Sequence, residues 1–291
     1  MTTAGDEPTI EILADADAAA DAAADRIAHS LADAVRERGR ADWATTGGSA
    51  AVPLYLRLSA TPLRDVVPWE GVHVWWGDDR MVPRDHPLSN RQPFDQVLLR
   101  ATAYSGLSGT GDDAITPYPG QHVGVPLPEA NIHAMPIDLA LGRSTSTDEA
   151  AREAASTYES ALRAAPLAHD ADGFPILDVV LVGVGPDGHV LSVFPGSPLF
   201  DSKHWVSAVE APTHVEPHMA RVSLNPAILA AARLPIAVVL GEGKASIVAD
   251  VLGGKRDVRS WPAQLARRSG AIWILDAASA ADLESAPEPS R

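Results

Sequence analysis

The sequence predicts an α/β protein with a largely parallel sheet. Three observations lead there. Helical and strand-like stretches alternate from one end of the chain to the other. Leu177 to Val184 (LDVVLVGV) is short, β-branched and apolar throughout, the pattern of a central strand buried on both faces. The chain has 291 residues, 46% of them hydrophobic, enough to bury a substantial core without covalent staples. In sheets of this kind ligands sit at the carboxyl ends of the strands.

Each element follows from local pattern. Residues 13–39 are Ala-rich. Ile27, Leu31, Ala34 and Val35 recur at helical spacing, Arg36 and Arg38 suit the end of the dipole, and Gly39 is a stop. A short segment from Ala41 to Thr46 runs into Gly47-Gly48-Ser49, and a helix follows over Val52–Leu58. Val72 to Trp76 reads as a buried strand, and Ser89 to Arg100 as a helix packing Phe94, Val97 and Leu98. Residues 105–128 are rich in Gly, Pro and Asp and predict a long surface loop. Asp148–Leu162 is helical. Strands are predicted at Val206–Val209, Ala220–Leu224, Ile236–Leu240 and Ala271–Leu275, with helices at Pro226–Ala232 and Gly243–Leu252. A single domain over 10–283 and a disordered tail over 284–291 are expected.

Composition removes several function classes. Cysteine is absent, which excludes disulfides, a thiol nucleophile and thiolate zinc sites, and fits a reducing, cytoplasmic setting. The net charge of −15 argues against a general nucleic-acid binder. No run approaches the roughly 18 apolar residues of a membrane span, and the acidic N-terminus lacks the order of a secretory signal. The chemistry is therefore expected on small molecules, with monomer or dimer left open.

Three loops at strand ends carry candidate residues. Thr45-Thr46-Gly47-Gly48-Ser49 lies between a strand and a helix, where glycines and free N–H groups favour a phosphate. Taken alone, Gly-Gly there is an ordinary turn. Asp78-Asp79-Arg80 follows an apolar strand and is succeeded by Val82-Pro83 and Ser89-Asn90; a solvated loop is the plain alternative. Gly183-Val184-Gly185-Pro186-Asp187-Gly188-His189 directly follows the best strand. A His held by a Gly-rich turn beside an Asp suits general-base work, its ordinary pKa being about 6.5. The Gly-x-Gly is not read as a dinucleotide fingerprint, because Pro186 interrupts the helix start that such a fingerprint needs. Arg221 and Lys244, at two further strand ends, could converge on an anion. Metal-ligand spacing such as His-Glu-x-x-His is absent, so no metal and no cofactor are expected.

Together these segments resemble the 6-phosphogluconolactonase family, within the superfamily that includes glucosamine-6-phosphate deaminase. The resemblance is carried by GGS at 47–49, DDR at 78–80 with Val82-Pro83 and Ser89-Asn90, and GVGPDGH at 183–189 followed by SVFPG at 192–196. Asn131-Ile132-His133, Arg221-Val222-Ser223-Leu224, Gly241 to Lys244 and Trp273 to Asp276 extend it over about residues 10–283. Two departures stand out: Ala50-Ala51 replaces the family's Thr-Pro, and Asp79 stands where the family has Glu.

The resemblance implies a three-layer, modified Rossmann-like arrangement with helices on both faces of the sheet. It implies hydrolysis of 6-phospho-D-glucono-1,5-lactone to 6-phosphogluconate, in the oxidative branch of the pentose phosphate pathway. His189 would be the base, and Asp187 would orient it or shape the turn; Gly47, Gly48, Ser49, Asp78, Arg80, Arg221 and Lys244 would bind the sugar phosphate. An amino-sugar-phosphate deaminase/isomerase and a non-catalytic sugar-phosphate-binding module are the alternatives. Deaminases of the superfamily carry a catalytic Glu that, aligned from His189, falls on Phe194. Among the other histidines, His86 and His133 lie in family-like segments; the rest, His214 included, read as incidental.

Overall fold

The computed structural model describes residues 7–48, 51–100 and 124–283. Most of the segment expected to be a long loop, the predicted tail and Ser49 lie outside the described residues. The elements run β1 (Thr9–Leu13), α1 (Ala16–Arg38), β2 (Ala41–Thr45), α2 (Ala51–Leu58), α3 (Leu63–Val66), β3 (Val72–Trp76), β4 (Asp78–Arg80) and α4 (Arg91–Pro93). They continue β5 (Ile132–His133), α5 (Ile137–Leu141), α6 (Thr147–Ala164), β6 (Ala168–His169), β7 (Pro175–Ile176), β8 (Val179–Val182), β9 (Val206–Val209) and β10 (Arg221–Leu224). The order closes with α7 (Pro226–Ala231), β11 (Leu234–Val239), α8 (Ala245–Gly253) and β12 (Ile272–Asp276).

Seven strands form one sheet in the order β1-β12-β11-β8-β2-β3-β5, every pair parallel. β8 and β2 are central and fully buried; for β8 this is what its all-apolar run requires. Alternation along β3 divides the two faces. Trp76 meets Phe94 edge-on at 4.9 Å, and Phe94 meets Tyr55 of α2. Trp75 points the other way, edge-on to Tyr158 of α6 at 5.9 Å. Helices thus cover both faces, α1 and α2 on one and α6 on the other.

Local chemistry fixes the helix ends. Asp15 caps α1 by accepting from the Ala18 N–H at 2.8 Å, and Gly39, in the left-handed region, closes it with an N–H to the Val35 carbonyl. Ser146 caps α6 by accepting from the Glu149 N–H, and Glu149 reaches back to Thr145.

A second, antiparallel sheet orders β4-β10-β9. Here the structure differs from the sequence reading: Asp78-Asp79-Arg80 is a short strand, with both carboxylates buried, not a solvated loop. The helix predicted over 89–100 is the short turn α4 followed by a wider π coil over Phe94–Leu99, with Pro93, which has no N–H to donate, at the junction. β1, for which the sequence reading assigned nothing, forms the sheet edge against β12. Among the described residues no helix is long and apolar enough to cross a membrane.

Candidate active site

From β2 the chain passes to β3 and β5, towards one edge of the sheet; from β8 it passes to β11 and β12, towards the other. The crevice therefore opens between the carboxyl ends of β2 and β8, the switch point of the topology. It collects Gly47 and Gly48 after β2, Asp78, Arg80 and Arg221 from the small sheet, His189 after β8 and Lys244 after β11. Residues from separate strand ends, predicted to converge, do line one cleft. Asp187 stands directly behind His189.

The Gly47 loop is locked to the segment after β4. A Cβ on Gly47 would lie 2.2 Å from Asn90 Oδ1 and 2.7 Å from Asn90 Cα, so only glycine fits. Asn90 Nδ2 donates to the Asp78 carbonyl at 2.8 Å and to Asp78 Oδ1 at 3.1 Å, and the Asn90 N–H donates to Asp79 Oδ1. Ser192 Oγ donates to Asp78 Oδ2 at 2.6 Å, tying the His189 loop to the same anchor. Both Asp78 oxygens are thus engaged within the protein, and the residue borders the cleft as a brace. Asp79 receives the N–H groups of Asn90 and Arg80, so its shorter stem still staples β4 to the 89–91 turn.

Among the described residues three cations face the cleft. Arg80 and Arg221 are cross-strand partners in the β4–β10 register. Arg80 donates from Nη1 to the Leu88 carbonyl at 2.9 Å and Arg221 from Nη2 to the Pro217 carbonyl at 3.3 Å; the Nε of each is buried without a partner. Lys244 Nζ donates to the Val184 carbonyl at 2.7 Å. No carboxylate among the described residues forms an ion pair with any of the three. Burial pushes the Arg221 and Lys244 groups down from their ordinary values, and nearby acids offset this only in part. Lys244 sits in a 3-10 turn, Glu242–Lys244, just ahead of α8.

His189 ends a tight turn. The Gly185 N–H donates to the His189 carbonyl at 2.8 Å, and a Cβ on Gly185 would lie 2.0 Å from His189 Nδ1. His189 Nδ1 and Asp187 Oδ1 are 2.5 Å apart, and the other Asp187 oxygen meets His214 Nε2 at 2.9 Å. Burial pushes the Asp187 carboxyl up, but the hydrogen bonds and charge of His189, with the bond from His214, hold it below the usual carboxylate range. An ionised Asp187 accepts a hydrogen bond from the Nδ1–H of His189, which leaves the proton off Nε2 of this cleft-lining ring. Phe194 packs on the His189 ring at 4.7 Å between centroids.

Ser49 and Ala50 lie outside the described residues. His86 and His133 are not brought to the cleft; His133 stacks on Trp75 at 4.0 Å, with His73 alongside. His214 is the residue the sequence reading missed. It sits in an irregular stretch with no motif around it, and only the tertiary path puts it on Asp187.

The glucosamine-6-phosphate isomerase/6-phosphogluconolactonase family model matches residues 14–274. A 6-phosphogluconolactonase of Streptomyces coelicolor is 32% identical over 274 residues, covering 94% of this chain and 91% of the relative. One of Mycobacterium tuberculosis is 32% identical over 279 residues, covering 95% and 99%. The solved 6-phosphogluconolactonase of Trypanosoma brucei superposes with a TM-score of 0.77 at 24% identity, over 96% of this chain and all of that one (100%), a likeness of fold. With the match running from α1 into β12 and the motif loops gathered at one switch point, the chain belongs to the glucosamine-6-phosphate isomerase/6-phosphogluconolactonase family.

Proposed function

We propose that the protein is a 6-phosphogluconolactonase that opens its substrate with a water activated by His189. The observation that carries this is the pairing of His189 with Asp187 on a cleft whose Arg80, Arg221 and Lys244 form no ion pair among the described residues. The full-length relatives that bear this name support the substrate.

The substrate is a ring ester with a phosphate remote from the carbonyl. Lys244, Arg221 and the N–H groups at Gly47 and Gly48 grip the phosphate, with Ser49 as the sequence places it. Arg80 serves the same anion or the sugar oxygens. Holding a non-reacting group fixes the carbonyl against the base. His189 Nε2 takes a proton from water as the water oxygen bonds to the carbonyl carbon. The tetrahedral intermediate then collapses, the ring C–O bond breaks, and the proton on Nε2 passes to the departing ring oxygen. Asp187 keeps Nδ1–H in place and stabilises the imidazolium between the two transfers. No covalent enzyme intermediate is needed, because the ester is already activated.

Deaminase chemistry is disfavoured by the residue at 194. The position aligned with the deaminases' Glu holds Phe194, whose ring lies against His189 and can neither accept nor donate a proton. The test uses freshly prepared lactone against its spontaneous decay. The protein should accelerate the decay, His189→Ala should lose about 10²–10⁴-fold in rate while still binding 6-phosphogluconate, and glucosamine 6-phosphate should release no ammonia. Catalytic ammonia release, or a His189→Ala variant at full rate, rejects the proposal. Binding of 6-phosphogluconate with no turnover of either substrate points instead to a sensor.

A further inference from the structure

We propose that His214 is a positioning residue for the reaction, holding the outer oxygen of Asp187 so that this carboxylate stays locked on His189. The inference rests on the reading of His189 as the base. Asp187 stands between two imidazoles: Oδ1 meets His189 Nδ1 at 2.5 Å and Oδ2 meets His214 Nε2 at 2.9 Å. A carboxylate held at one oxygen can turn about its last bond; held at both, it cannot. His214 reaches across 27 residues of sequence to make this bond, from a segment outside every strand and helix. The edge of its ring lies against Phe194, 5.7 Å between centroids, so one aromatic ring spaces both histidines.

The surrounding charges decide what a proton on His214 does. Arg221 from β10 and Lys244 ahead of α8 both feel Asp187. On the segment of His214 itself, Glu216 pairs with His218 at 3.1 Å and His218 also meets the Pro212 carbonyl. Glu216 is thus paired elsewhere, and Asp187 is the acid that pairs with His214 among the described residues. The His214 ring is half exposed to solvent. Neutral His214 donates Nε2–H to Asp187; protonated, it adds a positive charge and weakens the pull of Asp187 on the His189 proton. The position therefore does two things: it aims the base, and it sets where the base titrates.

The experiment compares His214→Phe and His214→Gln with the parent protein. Phe removes the donor and keeps an aromatic ring; Gln restores an N–H donor that cannot titrate. His214→Phe should lower kcat on the lactone about tenfold, the order expected for a lost hydrogen bond to a charged group, with KM within about twofold. The acid limb of kcat/KM should move to higher pH, because Asp187 then pulls harder on His189. His214→Gln should recover most of kcat. Unchanged kcat and an unmoved limb in His214→Phe overturn the proposal. So does an equal loss in both variants with an unmoved limb, which is a structural effect. Ring NMR titration of His189 in the ligand-free protein separates the two readings. If the parent does not hydrolyse the lactone, the functional reading fails; a His189 titration that His214→Phe leaves unmoved overturns the His214 assignment on its own.

Discussion

Asp79 is almost fully buried and sits one residue from the cleft. Burial pushes its carboxyl up to about 7, against the N–H groups of Asn90 and Arg80 that pull it down. An acid with a folded-state pKa above its unfolded value of about 4 binds more protons when folded. Its contribution to stability is therefore favourable below about 4, declines as pH rises towards 7, and is a full penalty above. Asp79→Asn keeps an oxygen for both N–H donors and removes the charge. Chemical denaturation should find the variant more stable than the parent at pH 8 by about 1–3 kcal/mol and equal to it near pH 4. A variant less stable at pH 8 would show that the ionised form is needed to hold the 89–91 turn. The same residue marks a limit of sequence reading. The triplet at 78–80 is charged, and nothing local distinguishes a solvated loop from a strand buried against β10. The histidines divide the same way: His189 announces itself within a motif, whereas the closeness of His214 to Asp187 is tertiary.

At the scale of elements, β8 and the turn that follows it are the clearest case of sequence fixing geometry. An apolar run places the strand centrally, and the glycines after it let the chain double back within hydrogen-bonding reach of itself. Gly185→Ala tests the coupling of turn to base. The added methyl would collide with the His189 ring, so the ring must leave Asp187. Lactonase activity should fall by about 10²-fold or more, towards the level of His189→Ala. The melting temperature, followed by circular dichroism, should drop by no more than about 5 °C. A variant with parental activity would mean that the ring pose in this turn is not the working one. The longer strands β3, β8, β10, β11 and β12 and the long helices were legible from pattern, whereas the short strands β4 to β7 were not. β1 was not, because Thr9–Leu13 is mostly exposed and owes its conformation to pairing with a distant strand. The π coil at Phe94–Leu99 was read as an ordinary helix, since its apolar spacing satisfies both.

For the molecule as a whole, the cleft draws on both halves of the sheet and on the small antiparallel sheet. A ligand that bridges them should therefore stabilise the entire fold. With 6-phosphogluconate at about 100 times its Kd, unfolding should cost about 2.7 kcal/mol more, while gluconate at the same concentration should do little. Lys244→Ala should weaken this effect of 6-phosphogluconate. Equal stabilisation by both sugars would show that the cations do not read the phosphate. The net charge of −15 hides this site from any averaged view of composition. What made it legible was the position of short motifs at strand ends, a matter of topology.

The pairing of β1 with β12 has a consequence for how the protein comes into being. The strand nearest the N-terminus lies parallel to the strand nearest the C-terminus of the described chain. During synthesis β1 emerges before every other strand of this sheet and finds no strand neighbour until β12 has been made. Through that interval Ile10 and Ile12, which keep 43% and 55% of their surface exposed even when folded, are carried on an unpaired edge. Contacts of such long sequence separation are slow to close. Completion of this sheet is thus a late event, and a nascent chain stalled before Ile272 would hold its cleft strands β2 and β8 but leave β1 free to pair elsewhere.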